Sequence, residues 1–259
     1  MVFPVKTTGS FFFRMFGVYL LLTFSFPALA ALPEVISQIK PSIVGVGTYQ
    51  KLATPRASLT GTGFAIGDGS LIATNNHVVP ATIAANKNTA FVVFVGTGNT
   101  PDIRPAHLVA RDTEHDLALL RISGPPLPPL RLSARQVREG EMYSFTGFPI
   151  GAILGLYPVT HRGMVSSITP IAIPARTAKE LSVSRLNHLK NPFFVYQLDA
   201  TAYPGNSGSP VYSQDNGEVI AIINKVLVQN SKENALTHPS AITYAVPVRH
   251  LSQLLATQP

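Results

Sequence analysis

The chain has 259 residues, of which 46% are hydrophobic and 13% are charged, and its formal net charge is +7. This length can bury a sizeable core, and all-β domains of this size often form a single domain. The absence of cysteine excludes disulfides, a cysteine-ligated zinc site and a thiol nucleophile. No long run of like charges and no basic stripe interleaved with aromatics occurs, so we expect no nucleic-acid partner despite the positive charge.

The first 30 residues have the layout of a secretory signal peptide. Two basic residues, Lys6 and Arg14, precede an apolar run from Met15 to Phe26. Ala28-Leu29-Ala30 then forms a small-residue cleavage site. The apolar run is short for a membrane-spanning helix, and an uncleaved N-terminal anchor is the alternative. We therefore predict a signal peptide over residues 1–30, export to a bacterial periplasm or to the outside, and no stable membrane insertion after cleavage.

Residues 31–259 form the predicted folded domain, which consists mostly of short apolar segments separated by Gly and Pro turns. LPEVISQIK and RHLSQLLATQ have helical spacing at its two ends, and the Pro-rich GPPLPPLRL has too few backbone donors for a central strand. Asp68-Gly69, between two apolar runs, indicates a hairpin. The segments expected to be strands are SIVGVGTY, TGTGFAIG, SLIATN, AFVVFVG, AHLVARD, DLALLRI, EMYSFTGF, PVTHRGMVSSI, FVYQLDA, SPVYS, VIAIINKVLV and ITYAVPV.

Many short strands and almost no helix predict an all-β fold. About a dozen strands suit two packed six-stranded antiparallel β-barrels, with a short C-terminal helix, better than one sandwich. The two lobes are expected over roughly residues 41–130 and 131–250. Residues 171–192 fit no strand, and we expect them to form a loop of the kind that carries regulatory or substrate contacts.

The stretch DATAYPGNSGSPVY, residues 199–212, contains the candidate nucleophile Ser207. Serine catalysis requires a base for the hydroxyl proton, an acid that orients the base, and N–H donors for the oxyanion. His77 directly follows a strand, in a turn-forming Asn-Asn-His context, and is the candidate base. Asp116 opens the apolar strand in HDLALLRI and is the candidate acid, while Asp199, also at a strand end, is the alternative.

The glycines around Ser207 suggest how an oxyanion would be bound. Gly205 and Gly208 permit a tight backbone, so the N–H groups of Gly205 and Ser207 can converge on one point, with Asn206 shaping the loop. The Gly-x-Ser-x-x-Pro pattern alone is a weak indicator. The ordered set of His77, Asp116 and Ser207, each beside an apolar strand, is far more specific.

At these residues the chain resembles the trypsin-like serine peptidases, and most of all their HtrA/Deg branch. TGTGFAIGDGSLIATNNHVV, HDLALLRI and DATAYPGNSGSPV are similar to the three catalytic segments of that family, and the resemblance extends over nearly all of residues 33–256. It implies a double β-barrel with the active site in the cleft between the barrels. It also implies His77 as general base, Asp116 as orienting acid, Ser207 as nucleophile, and the Gly205 and Ser207 N–H groups as the oxyanion hole.

The sequence also departs from that branch. No segment follows the closing helix to supply the PDZ modules usual there, so we do not expect activation through such a module. The short segment before the first strand puts the trimer of the family in doubt, although a homo-oligomer stays open. Asn206 replaces the aspartate that pairs with a newly cut N-terminus in digestive enzymes, so we expect activation by loop rearrangement instead.

The resemblance places Thr201, Ala202 and the strand residues Ile222, Ile223 and Asn224 in the primary substrate pocket. We assign Tyr203 to the same site as a residue that narrows the cleft near the pocket, with ordinary packing as the alternative. None of them is charged, and a charged P1 side chain buried there without a partner would be destabilised by several kcal/mol. We therefore expect a preference for small or medium apolar P1 residues such as alanine or valine.

The predicted function is a serine endopeptidase that forms an acyl-enzyme and acts on unfolded or misfolded envelope polypeptides, without a cofactor. One alternative is a non-catalytic binding or chaperone module on the same fold, and another is a basic barrel in which Ser207 is only a turn residue. No His-Glu-x-x-His motif and no Gly-x-Gly-x-x-Gly loop occurs, so we expect neither a metal nor a nucleotide.

Overall fold

The structure, a computed structural model, describes Met1 and residues 32–79, 89–149, 155–171, 192–224 and 242–258. The predicted signal peptide and nearly all of the loop expected over residues 171–192 lie outside the described residues.

Twelve β-strands and two α-helices make up the described part of the chain. The helices are α1 (Leu32–Ile39) and α2 (Val248–Ala256). The strands are β1 (Ile43–Gln50), β2 (Ala57–Ile66), β3 (Leu71–Asn75), β4 (Thr89–Val95), β5 (Asp102–Asp112), β6 (Leu117–Ile122), β7 (Met142–Gly147), β8 (Val159–Pro170), β9 (Phe194–Asp199), β10 (Pro210–Ser213), β11 (Val219–Ile223) and β12 (Ile242–Pro247).

The strands form two closed barrels of six strands each, which confirms the predicted fold class. The first barrel has the order β1-β2-β3-β6-β5-β4, and the second has the order β10-β11-β12-β9-β8-β7. Every pair of neighbouring strands within the barrels is antiparallel where the register is given. Closure removes the exposed strand edges that an open sheet of this size would present.

The turn between β2 and β3 contains the predicted Asp68-Gly69 hairpin signal. Gly69 has a φ of +84°, a left-handed conformation that glycine adopts without steric cost. A Cβ at this position would lie 2.1 Å from the Leu127 carbonyl oxygen, so the turn packs closely on the Pro-rich connector. The Leu127 N–H donates to the Gly69 oxygen at 2.9 Å, and thus the connector lies against the first barrel without joining its sheet.

Three apolar clusters organise the interior. One fills the first barrel and includes Val46, Ile72 and Leu120, and one fills the second and includes Phe145 and Ile223. The third and largest draws on strands of both barrels and on both helices, and so it holds the barrels against each other. Its members include the following fully buried side chains: Val35 of α1, Phe64, Leu119, Phe148, Tyr212, Ile222, Val246 and Leu251 of α2.

Both helices bury one apolar face, as their sequence spacing predicts. In α1 the buried residues are Val35 and Ile39, and in α2 they include Val248, Leu251 and Leu254. These spacings of three and four residues place the side chains on one side of a helix. No helix within the described ranges is long and apolar enough to cross a membrane.

A cluster of aromatic and acidic side chains joins α2 to the loop before β6. His250 of α2 stacks on His115 with ring centroids 3.8 Å apart and an interplanar angle of 19°. The edge of Phe193 contacts both rings, at centroid distances of 4.6 Å and 5.5 Å. His115 Nδ1 and Asp112 Oδ2 are 2.6 Å apart, so the imidazole of His115 is oriented by a carboxylate.

His250 makes the stability of the protein dependent on pH. Its side chain is buried, and burial, with additional effects from nearby His115 and Arg249, lowers its pKa to about 4. The unfolded chain, in which a histidine has a pKa of about 6.5, therefore binds more protons between these two values. The free energy of unfolding consequently falls as the pH is lowered through this window. Burial lowers the pKa of His161 as well, which acts in the same direction.

We predict that His250→Phe, which keeps an aromatic ring against His115 and Phe193 but cannot titrate, weakens this dependence. The decrease in melting temperature between pH 7 and pH 4.5 should become smaller by roughly 3–6 °C in the variant. Scanning calorimetry at several pH values measures it. The control is His107→Phe on an exposed part of β5, which should leave the slope unchanged. An identical slope in wild type and His250→Phe would contradict the role given to His250.

Candidate active site

The pairing of β3 with β6 brings His77 and Asp116 together. Asn75, the last residue of β3, lies opposite Leu117, the first residue of β6. His77 follows β3 in a single 3₁₀ turn, and Asp116 immediately precedes β6, so antiparallel register places them side by side. His77 Nδ1 and Asp116 Oδ2 are 2.6 Å apart. Asp116, and not its rival Asp199, is therefore the carboxylate bonded to His77.

Asp116 is held in place from several directions. Its Oδ1 accepts the His77 backbone N–H at 2.9 Å, and its Oδ2 accepts Asn224 Nδ2 at 2.9 Å in addition to the imidazole contact. Its backbone carbonyl accepts the N–H of Asn76 at 3.0 Å and the side-chain amide of Asn75 at 3.2 Å. Asp116 has a φ of +55°, which is unfavourable for most side chains but is tolerated by aspartate. These bonds offset that conformational cost and fix the carboxylate against the ring.

With Nδ1 engaged by Asp116, the Nε2 of His77 is the nitrogen left to act on a serine hydroxyl. The side chains of His77 and Asp116 are 27% and 22% exposed, so the pair is partly shielded from water yet reachable. This is the arrangement in which a carboxylate sets the tautomer of an imidazole and stabilises its protonated form.

Ser207 lies in a loop whose backbone is defined by a tight turn. The Asn206 N–H donates to the Tyr203 carbonyl at 3.0 Å, Pro204 occupies the second position of the turn, and Gly205 has a φ of +99°. Proline at the second position and a positive φ at the third identify a type II β-turn. The sequence prediction that Gly205 permits an unusual backbone here agrees with this geometry.

The first barrel packs directly on this loop through backbone contacts. The Thr62 N–H of β2 donates to the Ser207 carbonyl at 2.8 Å. A Cβ added to Gly61 would lie 2.8 Å from Val78 and 2.9 Å from the Ser207 oxygen. The segment that contains His77 and the loop that contains Ser207 therefore both pack against the backbone of Gly61, with no room for a side chain between them. A Cβ added to Gly208 would lie 2.0 Å from the Thr62 oxygen. Ser207 is accordingly almost buried, at 7% exposed.

The predicted pocket residues divide into four groups. Ala202 and Ile223 belong to the apolar cluster of the second barrel, whereas Ile222 points to the opposite side of β11 and belongs to the cluster between the barrels. Thr201 and Tyr203 are partly exposed on the loop before the turn. Asn224, which is also predicted to line the pocket, donates to the Asp116 carboxylate and is 1% exposed.

Sequence reasoning missed two further polar residues near the site. Thr62 Oγ1 donates to the Gly205 carbonyl at 2.6 Å, and no local pattern in TGTGF indicates a contact so far along the chain. The ring of His161 on β8 stacks on Phe145 at 4.9 Å and lies 6.3 Å from Tyr203, with Nε2 buried and unbonded. Burial lowers the pKa of His161, so the imidazole is neutral at neutral pH. Within the described ranges, no group of three or more potential metal ligands is assembled.

Comparison with known proteins agrees with this architecture. The trypsin-like peptidase domain family matches residues 61–222. Serine protease HTRA1B of Danio rerio is 32% identical over 228 residues, which cover 86% of this chain and 40% of that protein. A protein of Hahella chejuensis named "Probable periplasmic serine endoprotease DegP-like" is 29% identical over 201 residues, which cover 77% of this chain and 35% of that protein. The chain thus spans less than half of the length of these curated relatives.

Solved structures share the fold. "HtrA-type protease AlgW with tripeptide" has a TM-score of 0.62 and 21% sequence identity, covering 88% of this chain and 63% of that one. The serine endoprotease from Yersinia pestis has a TM-score of 0.60 and 23% identity, covering 88% of this chain and 66% of that one. Because the family match covers more than half of the residues and the double barrel agrees with it, the chain belongs to the trypsin-like peptidase domain family, where its relatives are HtrA-type serine proteases.

Proposed function

We propose that the protein is a serine endopeptidase in which Ser207 is the nucleophile, His77 the general base and Asp116 the orienting acid. The observation that carries this proposal is the 2.6 Å contact between His77 Nδ1 and Asp116 Oδ2, on the barrel that packs against the Ser207 loop. A histidine oriented by a carboxylate supplies the base that serine acyl transfer requires, and a glycine-bounded serine supplies the nucleophile.

The proposed reaction proceeds in two steps, acylation of Ser207 and hydrolysis of the acyl-enzyme. His77 Nε2 takes the proton of Ser207 Oγ as that oxygen attacks the scissile carbonyl, and the developing oxyanion accepts the N–H groups of Gly205 and Ser207. The protonated His77 then gives its proton to the leaving amine, and an acyl-Ser207 ester remains. Water, deprotonated by the same imidazole, then attacks the ester carbonyl; the acyl–Oγ bond breaks, the imidazolium returns its proton to Ser207 Oγ, and the carboxylic acid product leaves. Asp116 stabilises the positive imidazole in both steps and keeps Nδ1 as the donor.

The proposed oxyanion hole is supported by the hydrogen bonding of its two N–H donors. Among the described residues, no acceptor is bonded to the N–H of Gly205 or of Ser207. The type II turn gives the peptide before Gly205 one defined orientation, and removal of one such donor in a serine peptidase typically lowers turnover about 10²–10³-fold.

We further propose that the substrates are unfolded or misfolded polypeptides of the bacterial envelope, cut after small or medium apolar residues. The predicted signal peptide and the periplasmic name of a relative support the location. Ala202 and Ile223, on the second-barrel side of the loop, supply an uncharged lining that favours an apolar P1 side chain.

The assignment of Ser207 as nucleophile predicts covalent labelling by a fluorophosphonate probe. The wild-type protein should be labelled, and both Ser207→Ala and His77→Ala should lose labelling, because one removes the attacking oxygen and the other removes its base. Gel fluorescence after a fixed reaction time measures it.

Ser209→Ala is a matched control within the same loop. Ser209 Oγ is buried and has no hydrogen-bond partner, so its removal should leave labelling intact and assign the reaction to Ser207. A folded wild-type protein that stays unlabelled even with unfolded polypeptide present would contradict the endopeptidase proposal and favour the binding module.

Replacement of Asn224 separates a positioning role for this residue from a role in the substrate pocket. Asn224→Ala removes a hydrogen bond to a carboxylate, a contact worth about 1.5–3 kcal/mol, so we expect kcat/KM to fall about 10-fold or more for every substrate. Ratios among peptides that differ only in the P1 residue should stay constant. Steady-state kinetics on a P1 series measures both quantities.

Ile223→Val is the comparison variant. It shortens an apolar side chain and so enlarges the proposed pocket, which should change the ratios of kcat/KM among the P1 peptides while leaving the contacts of Asp116 unchanged. A P1-dependent loss in Asn224→Ala, similar in pattern to that of Ile223→Val, would instead assign Asn224 to the pocket.

A further inference from the structure

Thr62 connects the first barrel to the backbone of the nucleophile loop, residues 203–209, through two hydrogen bonds. Its N–H donates to the Ser207 carbonyl at 2.8 Å, and its side-chain Oγ1 donates to the Gly205 carbonyl at 2.6 Å. These are the carbonyls of the same two residues whose N–H groups are the proposed oxyanion donors. One residue of β2 therefore constrains the backbone of both donors.

The Thr62 hydroxyl also bonds to a third element. The Phe148 N–H, directly after β7, donates to Thr62 Oγ1 at 3.0 Å. A carbonyl oxygen can only accept, so the single hydroxyl proton of Thr62 is directed at Gly205 while the same oxygen accepts from Phe148. The hydroxyl is fully buried, and water does not compete for either bond.

The side chains of the nucleophile loop do not provide an alternative anchor. Both polar atoms of the Asn206 side chain and Ser209 Oγ are buried and have no hydrogen-bond partner. Among the described residues, Thr62 is the only one whose side chain donates a hydrogen bond to the backbone of residues 203–209. The loop thus depends on the neighbouring barrel for its side-chain support.

Thr62 is in turn tied to the strand that carries the base. Thr74 Oγ1, on β3, donates to the Thr62 carbonyl at 2.7 Å, and His77 follows three residues later. A short run of bonds therefore leads from the His77 strand through Thr62 to Gly205 and Ser207, across the contact between the barrels.

We propose that Thr62 is a positioning residue that holds the oxyanion hole in register with His77, through its hydroxyl bond to the Gly205 carbonyl. The inference rests on the proposed function, because it concerns how the Gly205 and Ser207 N–H groups are aimed at the reacting carbonyl. Loss of the hydroxyl should impair the transition state, where the oxyanion forms, more than it impairs substrate binding.

The test compares Thr62→Val with Thr62→Ser. Valine keeps the branched shape and the backbone bond to Ser207 but lacks the hydroxyl, so kcat should fall about 10- to 100-fold with KM within about twofold, less than the loss of a whole donor. Serine retains the hydroxyl and should restore kcat to within about threefold of wild type. A peptidyl aldehyde, whose tetrahedral adduct occupies the oxyanion hole, should lose affinity in Thr62→Val in proportion to kcat/KM.

Thr146→Val is the matched control for a buried hydroxyl. Thr146 is fully buried on β7 and its hydroxyl bonds to Thr160 and Tyr212 within the second barrel, at 2.8 Å and 2.7 Å. It should lower the melting temperature as Thr62→Val does, but it should leave kcat and aldehyde affinity near wild type. Thr62→Ala serves as the second variant without the hydroxyl if valine prevents folding.

Two failures are distinguishable. An unlabelled, folded wild type contradicts the proposed function itself. A labelled wild type whose Thr62→Val and Thr62→Ala variants keep wild-type kcat and aldehyde affinity overturns the positioning role of Thr62 and leaves the endopeptidase intact.

Discussion

The close approach of two backbones at the contact between the barrels is the constraint on which the candidate site depends. Gly61 and Gly208 stand at this contact, where an added Cβ would come within 2.9 Å and 2.0 Å of a carbonyl oxygen of the other segment. Gly208 also has a φ of +87°, which disfavours any side chain. Because no side chain intervenes, the N–H of Thr62 reaches the Ser207 carbonyl directly, and the loop takes its position from β2.

A second consequence of this packing is the environment of Asp116. A carboxylate removed from water is destabilised unless hydrogen-bond donors replace the lost solvent. The donors come from both barrels: the backbone and ring of His77 from the first, and the amide of Asn224 from the end of β11 in the second. Docking of the barrels therefore completes the set of hydrogen bonds to the Asp116 carboxylate, so these bonds and the contact between the barrels stabilise each other.

The fold follows from local sequence patterns, because short apolar segments separated by Gly and Pro turns predict the strands. The candidate residues His77, Asp116 and Ser207 could be named from the sequence because each lies in a short motif beside such a segment. The supporting contacts are not local: Thr62 and Gly205 are 143 residues apart, and Asn224 and Asp116 are 108 apart, so only the docked barrels bring them together. The placement of Ile222 was predictable, however, since adjacent strand residues face opposite sides and cannot both line one pocket.

The barrels are also joined by a second contact, which involves the closing helix α2. His250 of the closing helix stacks on His115, and His115 immediately precedes Asp116. The helix that ends the second barrel thus packs against the loop that carries Asp116 of the first barrel, just as β2 of the first barrel bonds to the loop that carries Ser207 of the second. Each barrel therefore supports one of the candidate site loops on its partner. A small rotation of one barrel would therefore disturb both loops together, and the reactivity of Ser207 should report on the integrity of the whole contact rather than on its own loop alone.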